Sequence, residues 1–183
     1  MKNLADKKMK TALISGLAAI TLVCGPRPVL ADTKTVQHAV TITVPTKLEI
    51  KADTANFTLT FADFAKSSET DSKTVVYGLK GNNVTRLTSV LTGQLAALFP
   101  NIDFQADVGA FTKVSGNATI VEAGAGFRTI GAAAPLGLAN KQVDSGTGKM
   151  VNGTLPITYK AVALNDLETG TFTQTLTVSF IDT

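Results

Sequence analysis

An all-β, antiparallel sandwich is the fold this 183-residue sequence predicts, on three observations. Apolar and polar residues alternate with period two in several short windows. Gly, Asn, Asp and Ser separate those windows. From residue 32 onward the composition is rich in Thr, Val, Ala, Leu and Gly, and the chain has no Trp. Period-two alternation sends successive side chains to opposite faces of a strand, so each window reads as a half-buried strand and each interruption as a turn.

The most regular window comes first. Val36, His38, Val40, Ile42 and Val44 share one face, and Thr35, Gln37, Ala39, Thr41 and Thr43 share the other. Pro45 interrupts the pattern, and residues 47–51 resume it with Leu48 and Ile50. Phe57, Leu59 and Phe61 alternate with Thr58 and Thr60, which predicts a strand over 56–61. Val75, Tyr77 and Leu79 mark a strand over 74–80, closed by Gly81, Asn82 and Asn83, residues that tolerate positive φ cheaply. Near the end, Leu155, Ile157, Tyr159, Ala161 and Ala163 form one alternating set. Phe172, Gln174, Leu176, Val178 and Phe180 form another, with 165–170 as an expected hairpin loop. In the middle, residues 94–99 are compatible with a short helix stopped by Pro100, and 123–139 reads as loop and weak strand. No repeat of 20–50 residues is visible, which argues against a solenoid or propeller. Short strands at this spacing suit an antiparallel immunoglobulin-like β-sandwich.

The N-terminus predicts export. Lys2, Lys7, Lys8 and Lys10 precede an apolar run over 11–24, and Val29, Leu30 and Ala31 supply small residues before a cut between Ala31 and Asp32. That order of basic, apolar and small residues is a secretory signal peptide. The run of 14 residues is short of the roughly 20 needed to span a bilayer. Cys24 has Val23 before it, where lipid attachment usually needs a small residue. The expected organisation is a signal peptide over 1–31, an N-terminal extension over 32–45 and a sandwich domain over 46–183.

Removal of the leader changes the charge. It holds five of the 17 basic residues and one of the 14 acidic ones, which leaves 12 against 13. A balanced chain offers no electrostatic footprint for nucleic acid or an anionic membrane surface. The one cysteine also lies in the leader, so the exported part can form no disulfide and present no thiolate.

Catalytic chemistry finds little material. His38 is the single histidine, set between Val36 and Val40 on the inward face, where a packing or interface role is expected because nothing nearby completes a triad or ligand set. Gly146, Gly148 and Lys149 resemble a phosphate loop, but Val143 and Met150 stand where Gly and a hydroxyl residue are required. Gly124 and Gly126 begin a dinucleotide fingerprint that Thr129 breaks. Both stretches are expected to be turns. Asp63, Glu69 and Asp71, or Asp166 and Glu168, offer loop oxygens without a calcium-loop pattern. Four glycosylation acceptor patterns, at Asn56, Asn83, Asn117 and Asn152, occur in a Thr-rich chain where chance produces them. No enzyme, cofactor or metal is expected.

The leader, the alternating segment over 34–44 ended by Pro45, the loop-spaced strands and the closing segment from Gly170 and Phe172 to Leu176, Val178 and Phe180 together resemble bacterial fimbrial subunits. The similarity is to the colonisation-factor type of pilin assembled by a periplasmic chaperone and an outer-membrane usher. It is one of layout over most of the exported chain. It implies an incomplete sandwich completed by a donor strand from a neighbouring copy, with Val36, His38, Val40, Ile42 and Val44 as the inserted face. It also implies a place in a fimbrium at the cell surface, with a part in adhesion. Two other classes stay open: a monomeric exported module that binds carbohydrate or a surface ligand, and a secreted enzyme. Two Tyr and no Trp leave little for an aromatic sugar platform.

Overall fold

The computed structural model describes residue 37 and residues 39–182. The leader with its cut after Ala31, the start of the extension, Val36 and His38 lie outside the described residues. By compactness the chain divides into Met1–Ile42 and Thr43–Thr183. Ten strands make up the second unit: β1 (Leu48–Ala52), β2 (Lys73–Gly81), β3 (Leu91–Leu95), β4 (Ile102–Val108), β5 (Thr112–Gly116), β6 (Ala118–Glu122), β7 (Arg128–Thr129), β8 (Leu136–Val143), β9 (Val151–Ala163) and β10 (Leu176–Phe180). One sheet runs β1-β2-β9-β4-β7, with β5 also on β9, and the other runs β10-β3-β8-β6. Every pairing is antiparallel. The chain is an all-β sandwich.

The spine of the first sheet is β9. Its 13 residues alternate without a break between buried and half-buried. Leu155, Ile157 and Tyr159 face the core at 0% exposure. On one side β2 pairs from Tyr77 to Leu155 and from Gly81 to Val151. On the other, β4 pairs from Ile102 to Ala163. The ends of β9 therefore define two ends of the domain, a near end at Val151 and a far end at Ala163, about 40 Å apart at strand rise. The second sheet contributes Leu91, Ile120 and Leu138 to the same core.

Several expectations change. No helix forms over 94–99, because Leu91–Leu95 pairs with both β8 and β10 and ladder formation overrides a weak local preference. Residues 56–61 alternate toward the core as expected, yet join no ladder beyond an isolated bridge from Phe61 to Thr70. The last strand begins at Leu176, so Phe172 and Gln174 precede it. Residues 165–170 are not a hairpin loop, since β9 and β10 belong to different sheets. Ala39–Val44, expected as a half-buried strand, belongs to no ladder. The expected glycine turn is present: Gly146 and Gly148 have φ of 56° and 60°, the left-handed region that glycine enters without strain.

One charge is built into the near end. Lys141, on β8, is 6% exposed, and its ammonium donates to the carbonyl of Val84 and, at 2.8 Å, to that of Gly148. Burial holds its pKa below the usual lysine value, partly offset by the Asp182 carboxylate. The side chain ties β8 to the two loops that precede β3 and β9. Lys141→Met keeps the aliphatic stem and strips both carbonyls of their donor. The expected loss is about 1–3 kcal/mol, read from urea unfolding, and an unchanged midpoint would show that water replaces the ammonium there.

Candidate functional site

The feature that stands out on this sandwich is a long cleft of about 1370 Å³. Its floor comes from both sheets: Val75, Tyr77, Phe104 and Ala161 from the first, and Leu95, Leu176 and Val178 from the second. One rim is the segment over 54–64, and the other is the segment over 167–175. The cleft extends from Phe99 and Ile102 at the far end to Ile50 on β1. It occupies the side of the sandwich where the edge strands β1 and β10 lie.

The rims explain why the cleft exists. After Ala52 the chain leaves the β1–β2 ladder, and Asp53 stops it by exchanging bonds with Val76 through its amide and its carboxylate. Beyond that point Phe57, Leu59 and Phe61 are each half-buried; Phe57 and Leu59 pack on the core outside any ladder, and Phe61 has one isolated bridge to Thr70. Phe57 stacks on Tyr159 with ring centroids 5.1 Å apart, and Tyr159 stacks on Phe104 at 5.6 Å. Phe99 extends the row at 5.9 Å from Phe104. Thr60 is the first residue with a backbone partner, giving its N–H to the Asp71 carboxylate and taking the Asp71 amide on its carbonyl. On the opposite rim residues 170–175 belong to no strand, the Thr175 carbonyl takes the Ala96 amide, and the ladder begins at Leu176. Two segments outside the ladders thus flank an apolar floor, and the first of them, over 56–61, alternates as a strand does without the neighbour a strand requires.

A buried polar pair begins on the cleft floor with Tyr77. Tyr77 and Tyr159, the two tyrosines of the chain, join hydroxyl to hydroxyl at 2.9 Å. Burial raises the pKa of both, and for Tyr159 the neighbouring Tyr77 raises it further, well above the usual phenol range. Because the folded pKa values lie above the unfolded value of about 10, this pair contributes its full stability below that pH and loses it progressively above. The expected alkaline titration shows no phenolate absorbance through pH 10 and then a rise concurrent with loss of the circular dichroism spectrum. Two phenols titrating near pH 10 in a folded protein would contradict the buried pair.

The other singled-out residues serve the fold. The Asp63 carboxylate accepts the Ala65 amide, and the Asp166 carboxylate the Lys66 amide. Glu69 pairs with Lys160 at 2.7 Å, and the Lys160 ammonium also lies 4.5 Å from the Phe127 ring. Asp144 accepts from Lys113 and Thr119, which hold its carboxyl below the usual range. Among the described residues no group of three His, Cys, Asp or Glu could hold a metal, and no helix is long and apolar enough to cross a membrane.

Of the five expected donor-strand positions, Val36 and His38 lie outside the described residues. Val40, Ile42 and Val44 are 79%, 84% and 76% exposed. The resemblance implies an incomplete sandwich, but which residues line its groove is not marked in the sequence. The one signal was in residues 56–61, where Phe57, Leu59 and Phe61 recur at period two. No protein-family model, curated protein or solved structure matches this chain.

Proposed function

We propose that this chain is a structural subunit of a surface fimbria, an immunoglobulin-like sandwich completed by donor-strand exchange. The extension of one copy, through Val36, His38, Val40, Ile42 and Val44, fills the cleft of the next. The observation that carries this reading is the cleft itself, an apolar floor between two rim segments that belong to no strand. An inserted strand supplies main-chain partners to a rim and side chains to the floor, the physics of β-augmentation. The exposure of Val40, Ile42 and Val44 supports the other half of the exchange, because three large apolar side chains at strand spacing are left for a partner to cover. A cleft of this kind is an aggregation hazard before assembly. A periplasmic chaperone that shields it and an outer-membrane usher that exchanges it fit that need. The assembled fibre stands on the cell surface and contributes to adhesion.

The test is gel behaviour of material from the producing cell. Donor-strand polymers are expected to run as a ladder when unboiled and to collapse to one band when boiled. A single band in both lanes would favour the monomeric exported binding module.

A further inference from the structure

We propose that consecutive copies also pack end to end, the far end of one domain against the near end of the next, through apolar side chains at the two ends of the domain. This rests on the donor-strand reading and adds a second interface to it.

The argument starts from the length of the connection. The extension does not reach its domain through a linker. Asn82 donates from its side-chain amide to the Pro45 carbonyl at 2.8 Å and accepts the Lys47 N–H at 2.7 Å. Lys47 also takes the Asn82 amide on its carbonyl. The chain is therefore pinned to the near end of its own domain from Pro45 onward, one residue after Val44. At about 3.3 Å per residue, a Val44 seated in a neighbour's cleft brings the two domains into contact.

The position of the cleft selects the surface that is met. It runs from Ile50 on β1 to the far end, where Phe64, Phe99 and Leu167 bound it. That end carries exposed Phe64, Leu98 and Leu164, at 68%, 62% and 51%. They sit on three loops joined by the Leu164 amide on the Asn101 carbonyl and the Leu167 amide on the Phe64 carbonyl. The near end, from which the extension leaves, carries exposed Leu87 and Met150, at 53% and 48%. Two different surfaces of one chain meeting in this way form a heterologous contact, which repeats without closing and produces a filament. Apolar side chains at both ends, with the connection too short to hold them apart, make a second copy the occupant of each.

Thiol labelling of assembled fibres tests this. The chain beginning at Asp32 has no cysteine, so Leu98→Cys, Leu164→Cys and Leu87→Cys each introduce a single reporter, and Glu122→Cys on the edge strand β6 is the control away from both ends. Each labelling rate in the fibre is divided by the rate of the same variant unfolded in guanidinium. The three end positions are expected to react at least tenfold more slowly than Glu122→Cys. Fibres in which Leu98→Cys and Leu164→Cys label within twofold of the control overturn the end-to-end contact and leave donor-strand exchange standing. A parent chain that forms no fibre removes both readings.

Discussion

Ile42→Asp is expected to abolish assembly while leaving the domain folded. Ile42 is 84% exposed in its own chain, so the substitution removes no contact that stabilises the fold, and a surface change of this kind is worth within about 0.5 kcal/mol. In a neighbour's cleft the same position would meet a floor of Val75, Leu95 and Leu176. Among the described residues no Lys or Arg lines the cleft, so burying a carboxylate there costs several kcal/mol or forces its protonation. The side chain it replaces would have contributed roughly 1.5–3 kcal/mol. The two effects act together, so the unboiled ladder should vanish while the thermal midpoint of the monomer is unchanged. A ladder of normal intensity would refute insertion of this face. Loss of the ladder together with loss of the folded spectrum would place the segment inside its own domain as an ordinary first strand.

The parts of the fold that the sequence made legible are those where a ladder and a period coincide. Val75, Tyr77 and Leu79 on β2 and the set from Leu155 to Ala163 on β9 alternate in sequence and pair with each other in register. Local pattern and tertiary structure agree there. They part at residues 56–61, where Phe57, Leu59 and Phe61 keep the inward period because the floor beneath them is apolar, while their backbone has no adjacent strand. Alternation reports which side chains are buried and is silent on what the backbone pairs with. The pattern fails differently at Phe172, which shares the sequence period of β10 but precedes its ladder and is 43% exposed. It fails again at 165–170, where turn-like residues connect two sheets instead of two paired strands. The middle differs for another reason: Gln94 and Leu95 suit a helix in isolation, but they continue a strand whose first three residues pair with β8, and they themselves pair with Thr177 and Leu176 on β10. The cleft was not legible because it is a property of two segments more than 100 residues apart, brought together only by the packing of the sheets.

The second large effect expected is rescue of a truncated domain by a peptide. A chain lacking residues 32–44 keeps all ten strands, which lie between Leu48 and Phe180, and it keeps the anchor of Pro45 and Lys47 on Asn82. It should fold, remain monomeric and expose the cleft. A synthetic peptide of residues 32–45 should then bind and stabilise it. Magnitudes say which interactions must contribute. Four Val and Ile side chains, at roughly 1.5–3 kcal/mol each, supply on the order of 6–12 kcal/mol. Ordering nine residues costs on the order of 9–18 kcal/mol at about 1–2 kcal/mol apiece. Side chains alone do not hold the strand, so binding requires main-chain bonds to a rim, and the peptide must enter as a strand. At a peptide concentration of about a hundred times Kd the domain gains about 2.7 kcal/mol, a rise in Tm of roughly 5–10 °C for a domain of this size. A peptide of the same composition with the alternation scrambled, and one carrying Ile42→Asp, should each leave Tm unchanged. Equal stabilisation by the scrambled peptide would reduce the cleft to a general apolar surface, and no stabilisation by the native peptide would exclude residues 32–45 as the strand that completes this sandwich.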